Sequence, residues 1–418
     1  MTQAARAEGE GGGYWWLVLV LCAGQVLVQI GAFFWPALLP GLAPAWGLSN
    51  SAAGWVTAAF YGAYMVSVPV LVTLTDRVDP KRIYLIGVGL TVAGHLAFAV
   101  VADGFWSALI CRALTGIGWA GTYMTGLKLL ADRVDARMMS RATAGHAASI
   151  GISGALSFAT GDLLAEWFGW RTAFWIAGLS ALAAWVMVAA VVPGGEPAAR
   201  TRADGGGLYD FRPVLKNRSA MAYAMAYAIH TLEMSALRGW GVAFLAYVAV
   251  RTDVEDTVIS PAVLATMLGL TGTVASILGN EAAIRFGRRV LVKTAMMLSI
   301  VLGATIGFLG TGSYWLAAVL ILIYGAVIWL DSSSLTAGTA GTAEPSRRGQ
   351  TLAVHSMLGY AGGFVGPLLI GFVLDLSGGA SPVGWGGAFA SVAGLMALAL
   401  TAFWWIRPRE LAGDRGEW

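Results

Sequence analysis

Charge is what this sequence has least of. Asp, Glu, Lys and Arg make up 12% of its 418 residues, against roughly 25% in soluble proteins, while 57% are hydrophobic and mean hydropathy is +0.71. A water-soluble globular domain and a disordered chain are both excluded. Cysteine is nearly absent. Cys22 and Cys111 each sit in an apolar run with no CxxC spacing, so neither a disulfide framework nor a zinc site is indicated. There is no HExxH, nucleophile elbow, metal-ligand cluster or phosphate-binding loop, which points away from an enzyme and from any cofactor. With no nucleotide-binding domain, work done by this chain has to draw on gradients. What abounds is Gly (56), Trp (18) and Phe (16). Small residues let lipid-embedded helices approach closely, and aromatic residues mark their ends.

A bilayer core takes about 20 apolar residues per helix. Twelve stretches qualify: 14–39, 51–74, 83–101, 105–130, 142–165, 171–192, 220–248, 260–284, 290–309, 313–338, 350–374 and 384–406. The first is too long for a signal-peptide core and lacks a basic flank before it, so it is read as a retained span. Alternating the spans puts every Lys and Arg on the amino-terminal side except Arg112, Arg171, Arg238 and Arg251. By the positive-inside rule both termini face the cytoplasm, as in a bacterial-type inner (plasma) membrane. Topology accounts for the basic clusters, so no nucleic-acid partner is expected.

Residues 193–217 (PGGEPAARTRADGGGLYDFRPVLKN) form the longest hydrophilic stretch. They read as a linker between an amino-terminal six-helix bundle, 1–192, and a carboxy-terminal one, 218–418. Gly-Trp-x-x-Ala-Phe occurs at 169–174 and again at 384–389, the trace of an internal duplication. The expected fold is all-α, twelve transmembrane helices in two pseudo-symmetric bundles.

The loop after the second span, Val72-Thr-Leu-Thr-Asp-Arg-Val-Asp-Pro-Lys-Arg82, is similar to the G-x-L-x-D-R-x-G-R-R-x signature of the major facilitator superfamily of secondary transporters. Leu74, Asp76, Arg77 and the basic end at Lys81 and Arg82 fit it, while Val72, Asp79 and Pro80 depart. The matching loop of the second half keeps Arg285, Gly287, Arg288 and Arg289 but has Ile284 where the acid belongs. Asp76, Arg77, Arg285 and Arg288 are therefore the gating residues the resemblance implies, with an asymmetric latch. The fourth span opens Cys111-Arg-Ala-Leu-Thr-Gly-Ile-Gly-Trp-Ala-Gly121, which resembles the family's R-x-x-x-G-x-G-x-x-G pattern. Gly116, Gly118 and Gly121 suit close helix packing. The Gly-Pro pair usual in the fifth helix of drug-proton antiporters of this family is absent, which weakens a drug-efflux reading. Gly362, Gly363, Gly366 and Pro367 stand instead in the eleventh span, where they either loosen the helix or pack it.

In this family the solute site lies near the bilayer midplane, lined chiefly by spans one, four, seven and ten. The deep ionisable residues fall on those spans: Arg112, then His230, Glu233 and Arg238, then Asp331. Such groups are costly in lipid and mark function or a structural ion pair. Counted from the outer face, Arg112 at ~10 Å and Arg238 at ~15 Å share a level, with Glu233 and Asp331 deeper at ~22–27 Å. Two guanidiniums suit a carboxylate-, nitrate- or phosphate-like anion; alternatively Arg238 bridges to Asp331 or Glu233. Gln25, Gln29, Tyr123, Trp240 and Ser332 are the neutral groups expected to orient a solute. Glu233, Asp331 and His230 are the proton-coupling candidates, Glu233 and His230 sharing one helix face at i, i+3. His95, His146 and His355 read as packing or capping residues, and Lys128 as a snorkelling one.

The expectation is a monomeric transporter of a small, anionic solute, working by alternating access with proton symport or anion exchange. One alternative is a proton-coupled exporter of hydrophobic or cationic compounds, in which Tyr123 and Trp240 stack on the cargo. A non-transporting receptor or assembly factor on the same fold is another.

Overall fold

A computed structural model describes residues 3–75, 77–134, 136–195, 211–254 and 259–416. Its helices are α1 (Gln3–Gln29), α2 (Phe34–Ala45), α3 (Asn50–Leu74), α4 (Pro80–Val101), α5 (Phe105–Ala120), α6 (Tyr123–Ala131), α7 (Ala136–Phe168), α8 (Trp170–Val191), the short α9 (Arg212–Lys216), α10 (Arg218–Arg251), α11 (Pro261–Phe286), α12 (Arg288–Leu309), α13 (Tyr314–Leu330), α14 (Ser332–Thr342), α15 (Arg348–Leu376) and α16 (Pro382–Ile406). Among the described residues there is no strand, and ten helical passages are long and apolar enough to cross a membrane. The α1–α2 and α13–α14 pairs each count as one passage there. Two more passages, α5 with α6 and the 34-residue α10, complete the twelve predicted; Arg112 in one and His230, Glu233 and Arg238 in the other lower their hydropathy.

Helix starts follow local chemistry. Asp79, Ser260 and Ser381 each accept a hydrogen bond from a backbone N–H of the helix they open, with Pro80, Pro261 and Pro382 next in line. An acceptor at the N-cap followed by proline, whose missing N–H costs nothing in the first turn, is a strong start signal. Outward faces remain apolar: Leu19, Val66, Val70, Ile110 and Val301 are all exposed, the pattern of a surface solvated by lipid rather than water.

The chain forms two compact units, Met1–Trp35 with Ala63–Thr201, and Pro36–Gly62 with Arg202–Trp418. The core of the first runs through Leu21, Tyr84, Val88, Ala181, Ala184 and Val188. Here α4 and α5 approach at glycine: a Cβ on Gly87 would lie 2.8 Å from the Gly118 carbonyl oxygen and from the Gly121 Cα, so Gly118 and Gly121 of the fourth span do pack. The second unit has a core of Tyr223, Val292, Met296, Leu335 and Phe403. Its α10 and α15 meet backbone to backbone, since a side chain at Gly362 would strike the Ala228 carbonyl and one at Gly366 the Leu232 carbonyl. Packing, rather than loosening, is what these two glycines do here. The duplicated motif is used alike in both units: Phe174 and Phe389 are buried, Phe174 stacked on Phe98 and Phe389 set edge-on to Phe244.

Three of the four spans nominated for the site are interrupted. The first breaks between Gln29 and Phe34, the fourth at Gly121–Thr122, and the tenth at Asp331. A break frees backbone groups from the helical ladder, and at membrane depth these need other partners.

Candidate functional site

In the first unit, the break after α1 explains Arg112. The Ala32 carbonyl would ordinarily accept from the N–H of residue 36, but that residue is Pro36 and has none. Arg112 is 2% exposed, and its Nη1 donates to Ala32 O at 2.9 Å. The guanidinium thus supplies the donor that the proline lacks, beside the buried ring of His95. Gln29 Oε1 accepts from Ser153 Oγ at 3.3 Å. Gln25 is fully buried, and among the described residues neither its amide nitrogen nor its oxygen has a hydrogen-bond partner. Tyr123 lies beside His146: their rings stack at 6.0 Å, and His146 Nε2 is 3.1 Å from the Tyr123 carbonyl.

The second unit gathers the titratable groups. His230 Nδ1 stands 3.0 Å from Asp331 Oδ1, with 2% and 5% of the two side chains exposed. Asp331 occupies the turn between α13 and α14, where its carbonyl accepts the first helical bond of α14, from Leu335 N–H at 2.8 Å. Glu233 is 1% exposed; its Oε1 accepts from Tyr324 Oη at 2.7 Å, and Ser299 lies beside the same carboxyl. The Tyr227 ring is stacked between two imidazoles, 5.5 Å from His230 and 4.0 Å from His355. His355 is held in turn by Thr336 and Thr339 at 3.2 and 3.1 Å.

Arg238 is only half-buried, unlike Arg112. Its guanidinium sits over the Trp329 ring, 4.8 Å from the centroid, with Tyr61, Tyr227 and Tyr360 as electrostatic neighbours. The two acids that could have bridged to it are engaged by Tyr324 and His230. Trp240 donates Nε1–H to the Pro367 carbonyl at 2.9 Å and is 3% exposed, which sets it in the contact between α10 and α15. Ser332 opens α14 and is half-buried.

Of the gating residues, Asp76 lies outside the described residues. Arg77 and Arg285 are exposed, Arg285 over the Phe286 ring. Arg288 is buried and bound by the carboxy-terminal tail: Nε and Nη2 donate to the two oxygens of Asp414 at 3.2 and 3.0 Å, and Nη1 reaches Asn280 and Ser334. The acid missing at Ile284 is thus supplied to this loop from the far end of the sequence. In the first half Asp79, a departure from the signature, carries the loop. It accepts from the Lys81 and Gly195 amides at 3.0 Å each and lies 3.5 Å from Arg133. Burial alone would raise its carboxyl, but these amides and the Arg133 guanidinium outweigh it and hold the group below the usual aspartate value.

Sequence reasoning passed over Tyr324, Trp329, Asp79 and Asp414. Tyr324 was within reach, seven residues before Asp331 and so on the same helix face. Asp79 was signalled by the proline after it. Nothing local marks Asp414.

Residues 21–250 match the profile of the Major Facilitator Superfamily. The chain is 28% identical over 183 residues to a chloramphenicol resistance protein of Streptomyces lividans, covering 44% of this chain and 45% of that relative, so this match spans less than half of the relative's length. It is 24% identical over 375 residues to the sphingosine-1-phosphate transporter SPNS2 of Xenopus tropicalis, covering 85% and 73%. Among solved structures it resembles a bacterial homologue of the human lysosomal transporter Spinster, inward-facing and unoccupied, with a TM-score of 0.76 at 14% identity over 97% of this chain and 98% of that one.

Proposed function

Because the chain belongs to the major facilitator superfamily and so to a family of solute transporters, we propose that it moves a small organic or inorganic anion by alternating access, through proton symport or anion exchange. The observation that carries this reading is the contrast between the two deep arginines. Arg112 is buried and donates to the Ala32 carbonyl, whereas Arg238 is only half-buried, its guanidinium over the Trp329 ring. A guanidinium stays charged at any working pH and offers a planar donor fork to a carboxylate or phosphate. The phosphorylated cargo named for the frog relative has the same chemistry. In this reading Arg238 is the anion contact. Gln25, Gln29, Tyr123 and Ser332 are the orienting groups, and Glu233 with the His230–Asp331 pair handles the proton. The chain works as a monomer of two bundles, 1–192 and 218–418, joined by 193–217, in a plasma membrane with both termini cytoplasmic.

The test is a thermal-stability screen of the purified chain against mono- and dicarboxylates, nitrate and phosphomonoesters, then flux in proteoliposomes under an imposed pH gradient. Stabilisation by an anion that is lost in Arg238→Gln is expected. Stabilisation by hydrophobic or cationic compounds alone would overturn the reading in favour of their proton-coupled export. That second reading draws on the chloramphenicol resistance relative and on the buried acids Glu233 and Asp331.

A further inference from the structure

We propose that the seam between α12 and α16 carries a binding site for one anionic phospholipid, its phosphodiester held by Lys293, Arg407 and Arg415 and an acyl chain laid along Met297, Leu400 and Trp404. The site lies wholly within the second unit and does not depend on what the protein transports.

Two grooves meet at this seam. One, of ≈ 340 Å³, is lined by Arg289, Lys293, Phe403, Trp404, Arg407 and Arg415. The other, of ≈ 560 Å³, is lined by Met297, Leu400, Thr401 and Trp404 among others. They share Val290, Lys293 and Trp404, so a basic head runs directly into an apolar furrow. The furrow faces outward: Met297 is 50% exposed and Trp404 58%, on the lipid side of two helices read as spans. The head lies where α12 begins and α16 ends, the end that the basic-residue asymmetry puts at the cytoplasmic surface.

The carboxy-terminal tail builds the basic head. Chain direction changes at Arg407, whose φ is 51°, and the guanidinium comes to lie 5.9 Å from the Trp404 ring centroid. The tail then turns back under α11 and α12, anchored by Asp414 on Arg288, which brings Arg415 to the groove. Glu410 is bonded to Arg289 at 3.1 Å and stands 3.8 Å from Arg415. Among the described residues no carboxylate pairs with Lys293 or Arg407. Four cations therefore face one acid, and the surplus suits a phosphodiester. A soluble anion would use the head and leave the furrow unused. A zwitterionic lipid would use the furrow and bring an ammonium group to the cations. An anionic phospholipid satisfies both halves, and Trp404 stands at the boundary between them, as aromatic residues do at the headgroup level.

The experiment is native mass spectrometry of the full chain in detergent, titrated with phosphatidylglycerol or with phosphatidylcholine of the same acyl chains. One phosphatidylglycerol should be retained in preference to phosphatidylcholine. Lys293→Gln with Arg407→Gln should weaken its retention roughly tenfold. Thr401→Trp, which fills the furrow and leaves every charge in place, should weaken it as well. Equal retention of the two lipids, or unchanged retention in both variants, would overturn the site and leave the cations as topology determinants only. Displacement of phosphatidylglycerol by inorganic phosphate at equal concentration would overturn the lipid in favour of a small anion.

Discussion

The Tyr324 hydroxyl donates to Glu233 Oε1 across 2.7 Å, joining α13 to α10 at a carboxyl with 1% exposure. A carboxyl so placed has no bulk water to share its charge, so its protonation is tied to the groups packed around it. Conformational change that separates α13 from α10 would alter that surrounding, which is what coupling between proton and solute movement requires.

Glu233→Gln keeps the hydrogen bond to Tyr324 and removes the titratable group. Uptake driven by a pH gradient is expected to fall at least tenfold, corresponding to about 1.4 kcal/mol or more of lost coupling, while solute exchange at equal pH persists. Paired flux measurements in proteoliposomes check this, and gradient-driven uptake at the wild-type rate would remove Glu233 from the coupling path.

Arg112→Ala leaves the Ala32 carbonyl without its donor. A buried hydrogen bond from a charged group contributes about 1.5–3 kcal/mol, and thermal unfolding should show a loss of that order. In a Pro36→Ala background the new backbone N–H at position 36 can serve the carbonyl, so the same substitution should cost less. Equal costs in the two backgrounds would show that Arg112 acts otherwise.

Asp414→Asn cuts one charge from the pair on Arg288, and removing one partner of a buried ion pair costs about 3–5 kcal/mol; the amide, which still accepts one bond, should place this variant at or below the lower end. Faster proteolysis within 407–416, with the transmembrane helices still intact, is the expected signature. Protection equal to the wild type would mean that other contacts of the tail, such as Glu410 on Arg289, suffice to hold it.

Asp79 gives a pH dependence. Its folded-state carboxyl is held below the ordinary 3.8, so the stability it contributes is complete above that value and is lost as pH falls through the depressed one. Asp79→Asn preserves the N-cap acceptor and removes the charge. It should be slightly less stable than wild type at neutral pH, by at most about 1 kcal/mol as for surface pairs, and the two should converge in strong acid. A difference that persists unchanged into acid would point to a cause other than the carboxylate charge.

Much of the site was legible because charge in an apolar span is rare enough to single itself out. Arg112, His230, Glu233, Arg238 and Asp331 needed no structure to be named. Their partners did. The alternative that Arg238 bridges to Glu233 or Asp331 rested on opposite charge alone, and those acids face Tyr324 and His230. Spacing along one helix fixes a face and says nothing of which neighbouring helix covers it. The tail shows the same limit more sharply, since Arg288 and Asp414 are 126 positions apart and no periodicity links them.

By itself the sequence determined the span count, the side on which basic residues collect, the duplication and the residues too polar for lipid. These depend on composition and period along the chain, and the cost of placing a charge in hydrocarbon enforces them whatever the partners are. Tertiary structure alone decided that Arg112 answers a proline while Arg238 remains partly accessible on Trp329, and that the second signature loop takes its acid from the tail. Such choices are made by side chains meeting across separate helices, where a rotation of one helix about its axis exchanges one partner for another and leaves the sequence pattern unchanged.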